Sequence, residues 1–154
     1  MSGPAPRASA PRVTRTDPSS RDARLRGRTY AIPFDRVWRA ALGVAGGGLT
    51  RWRLLDADDA RGVLNAEAKS LVLRGVSAVR IDVGLDENAQ TRVDVTARTV
   101  ERRPLDSGRN ARFVGAFLKR LDRELGVRPG DILDPGGAPS RRRAPNAPTD
   151  PTRP

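Results

Sequence analysis

Apolar residues recur at Phe34, Val37, Trp38, Ala41, Leu42 and Ala45, a spacing of three and four that puts them on one face of an α-helix. Pro33 suits the first turn, where no amide donor is needed, and Gly46-Gly47-Gly48 ends the helix. Arg36 and Arg39 fall on the opposite face. The period then changes. Trp52 and Leu54 alternate with Arg51 and Arg53, which predicts a short strand over Thr50–Leu55. Asp56 to Gly62 reads as a turn, Val63–Lys69 as a second strand, and Leu71–Gly75 as an apolar connector. Val76–Gly84 sets Val79, Ile81 and Val83 against Arg80 and Asp82. After a turn over Leu85–Gln90, Thr91–Thr99 sets Val93, Val95 and Ala97 against Arg92, Asp94 and Arg98. Strict period two in adjacent segments predicts an antiparallel hairpin with one wet face. Arg and Asp on that face are expected to pair across the strands, for roughly a few tenths of a kcal/mol each.

The last periodic segment carries an apolar stripe of Asn110, Phe113, Val114, Phe117, Leu118, Leu121 and Leu125. Asp106 or Ser107 serves as its cap and Gly126 stops it. Arg109, Arg112, Lys119, Arg120 and Arg123 are expected on its remaining surface. The predicted fold class is α+β: an antiparallel four-stranded meander flanked by an N-terminal and a C-terminal helix packed on one face; by resemblance, this helix–meander–helix order looks like that of helix-grip domains.

Proline draws the domain boundaries. Of 13 prolines, 11 fall outside Thr29–Leu125. Residues 1–28 and 126–154 lack the apolar content to offset the entropy of ordering and read as disordered tails; Ile132 and Leu133 are the residues there that could dock back. The formal net charge is +11, split as +5 for residues 1–28, +4 for 29–125 and +2 for 126–154. More than half of the excess thus lies in the expected tails, where it attracts polyanions without defining a site. Only Lys69 and Lys119 of the 29 cations are lysines, a bias that fits a GC-rich coding sequence. The first 30 residues hold no apolar stretch like a signal peptide, and the longest uncharged run, Ala40–Thr50, falls well short of the ~20 residues of a membrane span. The chain as written reads as cytoplasmic, although a misassigned start would hide a leader.

With no Cys and no His, the chain has no thiol nucleophile, disulfide framework, zinc ribbon or imidazole base. Asp58-Asp59 and Asp86-Glu87 are paired acids, but turns keep carboxylates solvated and their pKa values ordinary. A magnesium site there would need further oxygens from elsewhere. Gly46-Gly47-Gly48 follows a helix instead of preceding one, so it is no phosphate loop. Gly75-Val76-Ser77-Ala78-Val79 lacks a nucleophile-elbow pattern. These exclusions point away from catalysis, with no catalytic residue, cofactor or metal assigned.

The combination Tyr30-x-x-Pro33…Val37-Trp38, Trp52…Asp56…Gly62, Val93-Asp94-Val95 and Asp106-x-Gly108-x-Asn110-Ala111…Val114-x-x-Phe117-Leu118 resembles the uncharacterised bacterial family known as domain of unknown function 1499. The resemblance covers about Thr29–Leu125. It departs at Arg103-Pro104-Leu105, where the family has a Gly-Arg-Ser-like approach to the aspartate. It implies a fold and no established activity.

Four functional readings follow. Asp106, Gly108 and Asn110 form either a small ligand site at the start of the last helix or a structural cap and tie. Arg109, Arg112, Arg120 and Arg123, with Arg141, Arg142 and Arg143, form a surface for weak, salt-sensitive association with nucleic acid or another polyanion. All six aromatics fall on or beside core positions, which leaves none for base stacking. A pocket between sheet and last helix would instead take a small apolar ligand. A carboxylate- and metal-dependent enzyme is the remaining alternative. The favoured expectation is a small non-catalytic binding or interaction domain, with an unknown protein or a polyanion as partner.

Overall fold

A computed structural model describes residues 12–71, 75–100, 108–128 and 131–133. In chain order its elements are β1 (Val13–Arg15), a 3-10 turn (Ala23–Leu25), β2 (Arg28–Tyr30), α1 (Phe34–Gly43), β3 (Trp52–Asp58), β4 (Val63–Lys69), β5 (Val76–Leu85), β6 (Thr91–Thr99) and α2 (Arg109–Leu125). The sheet runs in the order β1-β6-β5-β4-β3, every pair antiparallel, and β2 also pairs with β6.

The sheet therefore has six strands where the periodicity predicts four. One extra strand, β1, lies wholly in the segment assigned to the N-terminal tail, and the other, β2, straddles its boundary with the folded block at Arg28. Val13–Arg15 pairs with one half of β6 and Arg28–Tyr30 with the other, so residues 12–28 are built into the fold. Apolar patterning could not reveal this, because β1 is held to the β6 edge by backbone hydrogen bonds and by Thr16, and β2 sends a single large apolar side chain, Tyr30, into the core, too few to show a period. The Thr16 amide donates to the Val95 carbonyl (2.9 Å), and its hydroxyl accepts from the Val95 amide (3.1 Å). Ile132 bridges Tyr30 and the Leu133 amide donates to the Thr29 carbonyl at 3.0 Å, so those two residues do dock.

Elsewhere the boundaries shift by small amounts with visible causes. α1 runs on through a π turn into the glycine triplet, where Gly47 leaves the helical conformation (φ 176°, ψ −7°), so the triplet ends the helix as expected. The first meander strand extends to Asp58 because a bulge at Leu55 keeps the backbone paired with β4 through Asp56 and Asp58. α2 begins behind Gly108, at φ 107°, and ends at Gly126, at φ 67°, both left-handed conformations that a glycine adopts without a Cβ penalty. Asp106 and Ser107 lie outside the described residues; Gly108 occupies the cap position.

Both helices cover one face of the sheet. Leu64, Ala68, Val79, Ile81, Val83, Val93, Val95 and Ala97 meet Val37, Trp38 and Ala41 of α1 and Val114, Phe117, Leu118 and Leu121 of α2 in one buried cluster. Trp52 stacks on Phe117 at 5.7 Å and meets Phe113 edge-on at 6.2 Å, which closes the cluster at the β3 side. On the wet face the Arg/Asp residues pair along each strand, Arg80 with Asp82 (2.8 Å) and Arg92 with Asp94 (2.7 Å), and not across strands as expected. The register explains this: Asp82 lies opposite Asp94, and Arg80 opposite Thr96.

Candidate functional site

The start of α2 is where the most specific sequence cluster lands. Gly108 presents an open surface, and nothing among the described residues approaches the place of its missing side chain. Asn110 points inward, 3% exposed. Its Oδ1 accepts from the Ser77 hydroxyl at 2.7 Å, and its Nδ2 donates to Thr99 Oγ1 at 3.0 Å and to the Arg12 carbonyl at 3.3 Å. The amide thus joins α2 to β5, to β6 and to the chain entering β1. Such a group holds elements together. Asp106, the third member of the cluster, lies outside the described residues.

Arg109 is buried at 5% exposure and is no surface cation. Its guanidinium lies in the space a side chain at position 75 would fill, so Gly75 makes the room it occupies. The expectation that it contacts a polyanion fails on that burial. Arg112 and Arg123 are exposed, as is Lys119 between them. Arg120 is partly covered, with its guanidinium 3.8 Å from Glu124. Among the described residues no carboxylate pairs with Arg112, Lys119 or Arg123. Arg36 and Arg39 of α1 and Arg128 add exposed positive charge to the same helix layer. Arg141, Arg142 and Arg143 lie outside the described residues.

Sequence reasoning missed a second polar anchor, near the end of α2. Asp122 accepts from the Tyr30 hydroxyl at 2.6 Å and from the Arg28 guanidinium at 3.1 Å. Tyr30 is fully buried. Burial, and then the bond to Asp122, hold its phenol pKa far above the ordinary tyrosine range. These partners stand 92 and 94 residues apart in sequence, so no local spacing signals them.

The wet face of the sheet carries an open cleft of about 550 Å³ between Arg15–Pro18 and Asp82, Arg92, Asp94 and Thr96. Within it Asp94 accepts from both Arg92 and Thr16, Asp82 pairs with Arg80 and Asp17 accepts from Ser19. The Arg92 pKa is raised chiefly by its bond to Asp94. The acid pairs serve turns. Asp58 accepts from the Arg61 amide at 3.1 Å, and Asp86 from the amides of Asn88 and Gln90 at 2.8 and 2.9 Å. Among the described residues no three acidic groups converge to hold a metal ion, and no helix is long and apolar enough to cross a membrane.

One further feature is apolar. Phe34, Trp52 and Phe113 are half-buried, as are Leu42, Leu49 and Leu54. They pack against the core cluster with part of their surface open to water.

No protein-family model matches the chain, and no curated protein matches it in sequence. Among solved structures it is similar to Ara h 8.0201, at 10% identity and a TM-score of 0.36, over 76% of this chain and 97% of that one. It is also similar to the ZhuI aromatase/cyclase from Streptomyces sp. R1128, at 17% identity and a TM-score of 0.31, over 76% and 87% of the two chains. What the chain's own geometry establishes is an α+β domain: two helices across one face of an antiparallel sheet.

Proposed function

We propose that the protein is a non-catalytic binding domain whose helix layer associates with polyanions, nucleic acid foremost. One observation carries this reading. Arg112, Lys119 and Arg123 stand two turns and then one turn apart along the exposed side of α2, with no carboxylate partner among the described residues. At 1.5 Å per residue the line spans about 16 Å, the axial rise of about five nucleotides of one duplex strand. On the wet sheet face Arg80 and Arg92 are neutralised in place by Asp82 and Asp94, while Arg15 and Arg98 stay exposed there with no ion pair among the described residues. Arg141–Arg143 would add further contacts of the same kind. The aromatic beside the α2 line, Phe113, is half-buried against Trp52 and the core, which favours phosphate contact over base readout.

Fluorescence anisotropy of the full chain with a mixed-sequence 20-base-pair DNA tests this. Three phosphate contacts lower affinity about 40-fold between 50 and 200 mM salt. The Arg112→Glu/Lys119→Glu/Arg123→Glu variant should lose most of the binding. Affinity that ignores salt, or that survives the triple substitution unchanged, overturns the reading.

A second reading, carriage of a small apolar molecule, is favoured by the half-open seam of Phe34, Trp52 and Phe113. Titration with palmitate, followed by tryptophan fluorescence, would then give a saturable change and a raised melting temperature. A response no different from that of a Trp52→Ala variant would remove this alternative.

A further inference from the structure

Among the described residues β3 ends the strand order and pairs with β4 on one side only. Charged side chains and a bulge on an edge strand are the usual guards against pairing with another chain. Here, however, the charges are arranged in a particular order. The segment Arg51-Trp52-Arg53-Leu54-Leu55-Asp56-Ala57-Asp58 is complementary to itself when reversed: Arg51 meets Asp58, Trp52 meets Ala57, Arg53 meets Asp56, and the two leucines meet at the centre.

Order alone is insufficient, because residues directly opposed in an antiparallel pair must point to the same face. In a regular strand, positions 53 and 56 differ by an odd number and face opposite ways. The bulge changes this. Arg53 lies opposite Glu67 and Asp56 opposite Asn65, with Leu55 as the extra residue between. Glu67 and Asn65 both point away from the core, since their neighbours Leu64, Ala66 and Ala68 are buried. The one-residue insertion therefore brings Arg53 and Asp56 to the wet face together and leaves Trp52 and Ala57 both on the core face. Leu55, at the centre of the motif, is 51% exposed. Arg53 also touches Glu67 at 2.8 Å, which holds its guanidinium over the wet face.

We propose that β3 is a homodimerisation edge, on which a second copy of this chain adds its own β3 antiparallel across a two-fold axis at Leu54–Leu55. The bulge, which ordinarily blunts an edge, is here what puts the charges in phase. Two Arg53–Asp56 couples then flank the axis, and two Arg51–Asp58 couples lie outside them, at the strand entrance where Arg51 has φ 66°.

Sedimentation equilibrium of the full chain over 1–500 µM, roughly the range of weak edge-to-edge association, is the test. The wild type should be a reversible dimer that weakens at high salt. Asp56→Arg/Asp58→Arg and Arg51→Asp/Arg53→Asp should each be monomeric, with at least a 100-fold loss of association, and their equimolar mixture should restore a dimer. Should either double variant fail to fold by circular dichroism, Asp56→Arg alone, at an exposed position, carries the same comparison. A wild type that stays monomeric at the highest concentration overturns the proposal, and so does a charge variant that dimerises as well alone as in the mixture.

Discussion

Asn110→Ala discriminates between the structural and the ligand-binding roles of the α2 start. The substitution removes three hydrogen bonds at 2.7, 3.0 and 3.3 Å from a side chain that is 3% exposed. A buried hydrogen bond is worth about 1 kcal/mol net, and a partner left without one costs about 1–3 kcal/mol. Ser77 is fully buried and Thr99 nearly so, so water does not readily replace the amide. Their hydroxyls can rotate to limit the loss, and alanine gains about 0.6 kcal/mol in helix propensity over asparagine. Together these give a destabilisation of about 2–3 kcal/mol, a large share of the 5–15 kcal/mol typical of a domain.

Urea denaturation followed by tryptophan fluorescence measures that loss, and a thermal scan should show the midpoint lower by about 10 °C. Arg112→Ala, two residues away but exposed, is the control and should stay within about 0.5 kcal/mol of the wild type. Ser77→Ala combined with Asn110→Ala should be non-additive by about 1 kcal/mol or more, because both remove the same bond. If Asn110→Ala left stability within 0.5 kcal/mol of the wild type, roughly the surface-substitution range, Asn110 would not be the tie described here, and a ligand role would regain priority.

Tyr30 is the single tyrosine, so its phenolate is directly visible near 295 nm. Its pKa is raised in the folded chain; the unfolded phenol releases its proton near pH 10 while the folded one keeps it. Stability from this group is therefore complete below about pH 10 and falls by about 1.4 kcal/mol per unit above it. Ionisation should coincide with alkaline unfolding, and a reversible midpoint near pH 10 in the folded protein would contradict the Tyr30–Asp122 bond. Tyr30→Phe should cost about 1–2 kcal/mol in the same urea assay. Gly62 has φ 67°, and a Cβ there would strike the Val83 carbonyl, so Gly62→Ala should cost at least about 2 kcal/mol by strain and displacement of β5. A neutral result would mean that the β3–β4 turn does not pack against β5 as described. Gly75→Ala would displace the Arg109 guanidinium; a melting temperature lowered by several degrees (roughly 1–2 kcal/mol) is expected, and no change would show that Arg109 is not seated there.

Legibility followed the kind of force involved. Both helices, the bulk of the four meander strands and the inward set of Val79, Ile81, Val83, Val93, Val95 and Ala97 could be read from the chain because burial imposes a period. β1 and β2 could not. They pair through backbone groups, and their side chains include Arg15 and Arg28, which read as tail composition. Arg109 was misplaced because helical spacing assigns a face but is blind to a glycine, Gly75, that opens a berth in another element. The strand pairing of the wet-face charges was misread for a related reason. Alternation shows which side a residue faces, whereas the register that opposes Asp82 to Asp94 is fixed elsewhere, by packing of the apolar face.

The two polar anchors of α2 then have a common consequence. Its apolar stripe repeats every three or four residues, so a slip of one turn, about 5.4 Å, would rebury most of it. Such a slip leaves hydrophobic burial nearly unchanged, because that force is non-directional. It cannot leave Asn110 between Ser77 and Thr99, or Asp122 between Arg28 and Tyr30. The anchors stand twelve residues apart, near opposite ends of the helix, and both reach the N-terminal segment, through the Arg12 carbonyl and through β2. They therefore select one seating of α2 among several that are apolar-equivalent, and they tie that seating to the closure of β6 by β1 and β2. The exposed line of Arg112, Lys119 and Arg123 is fixed in direction by the same two anchors. Loosening either one should blur the orientation of that line before it unfolds the domain.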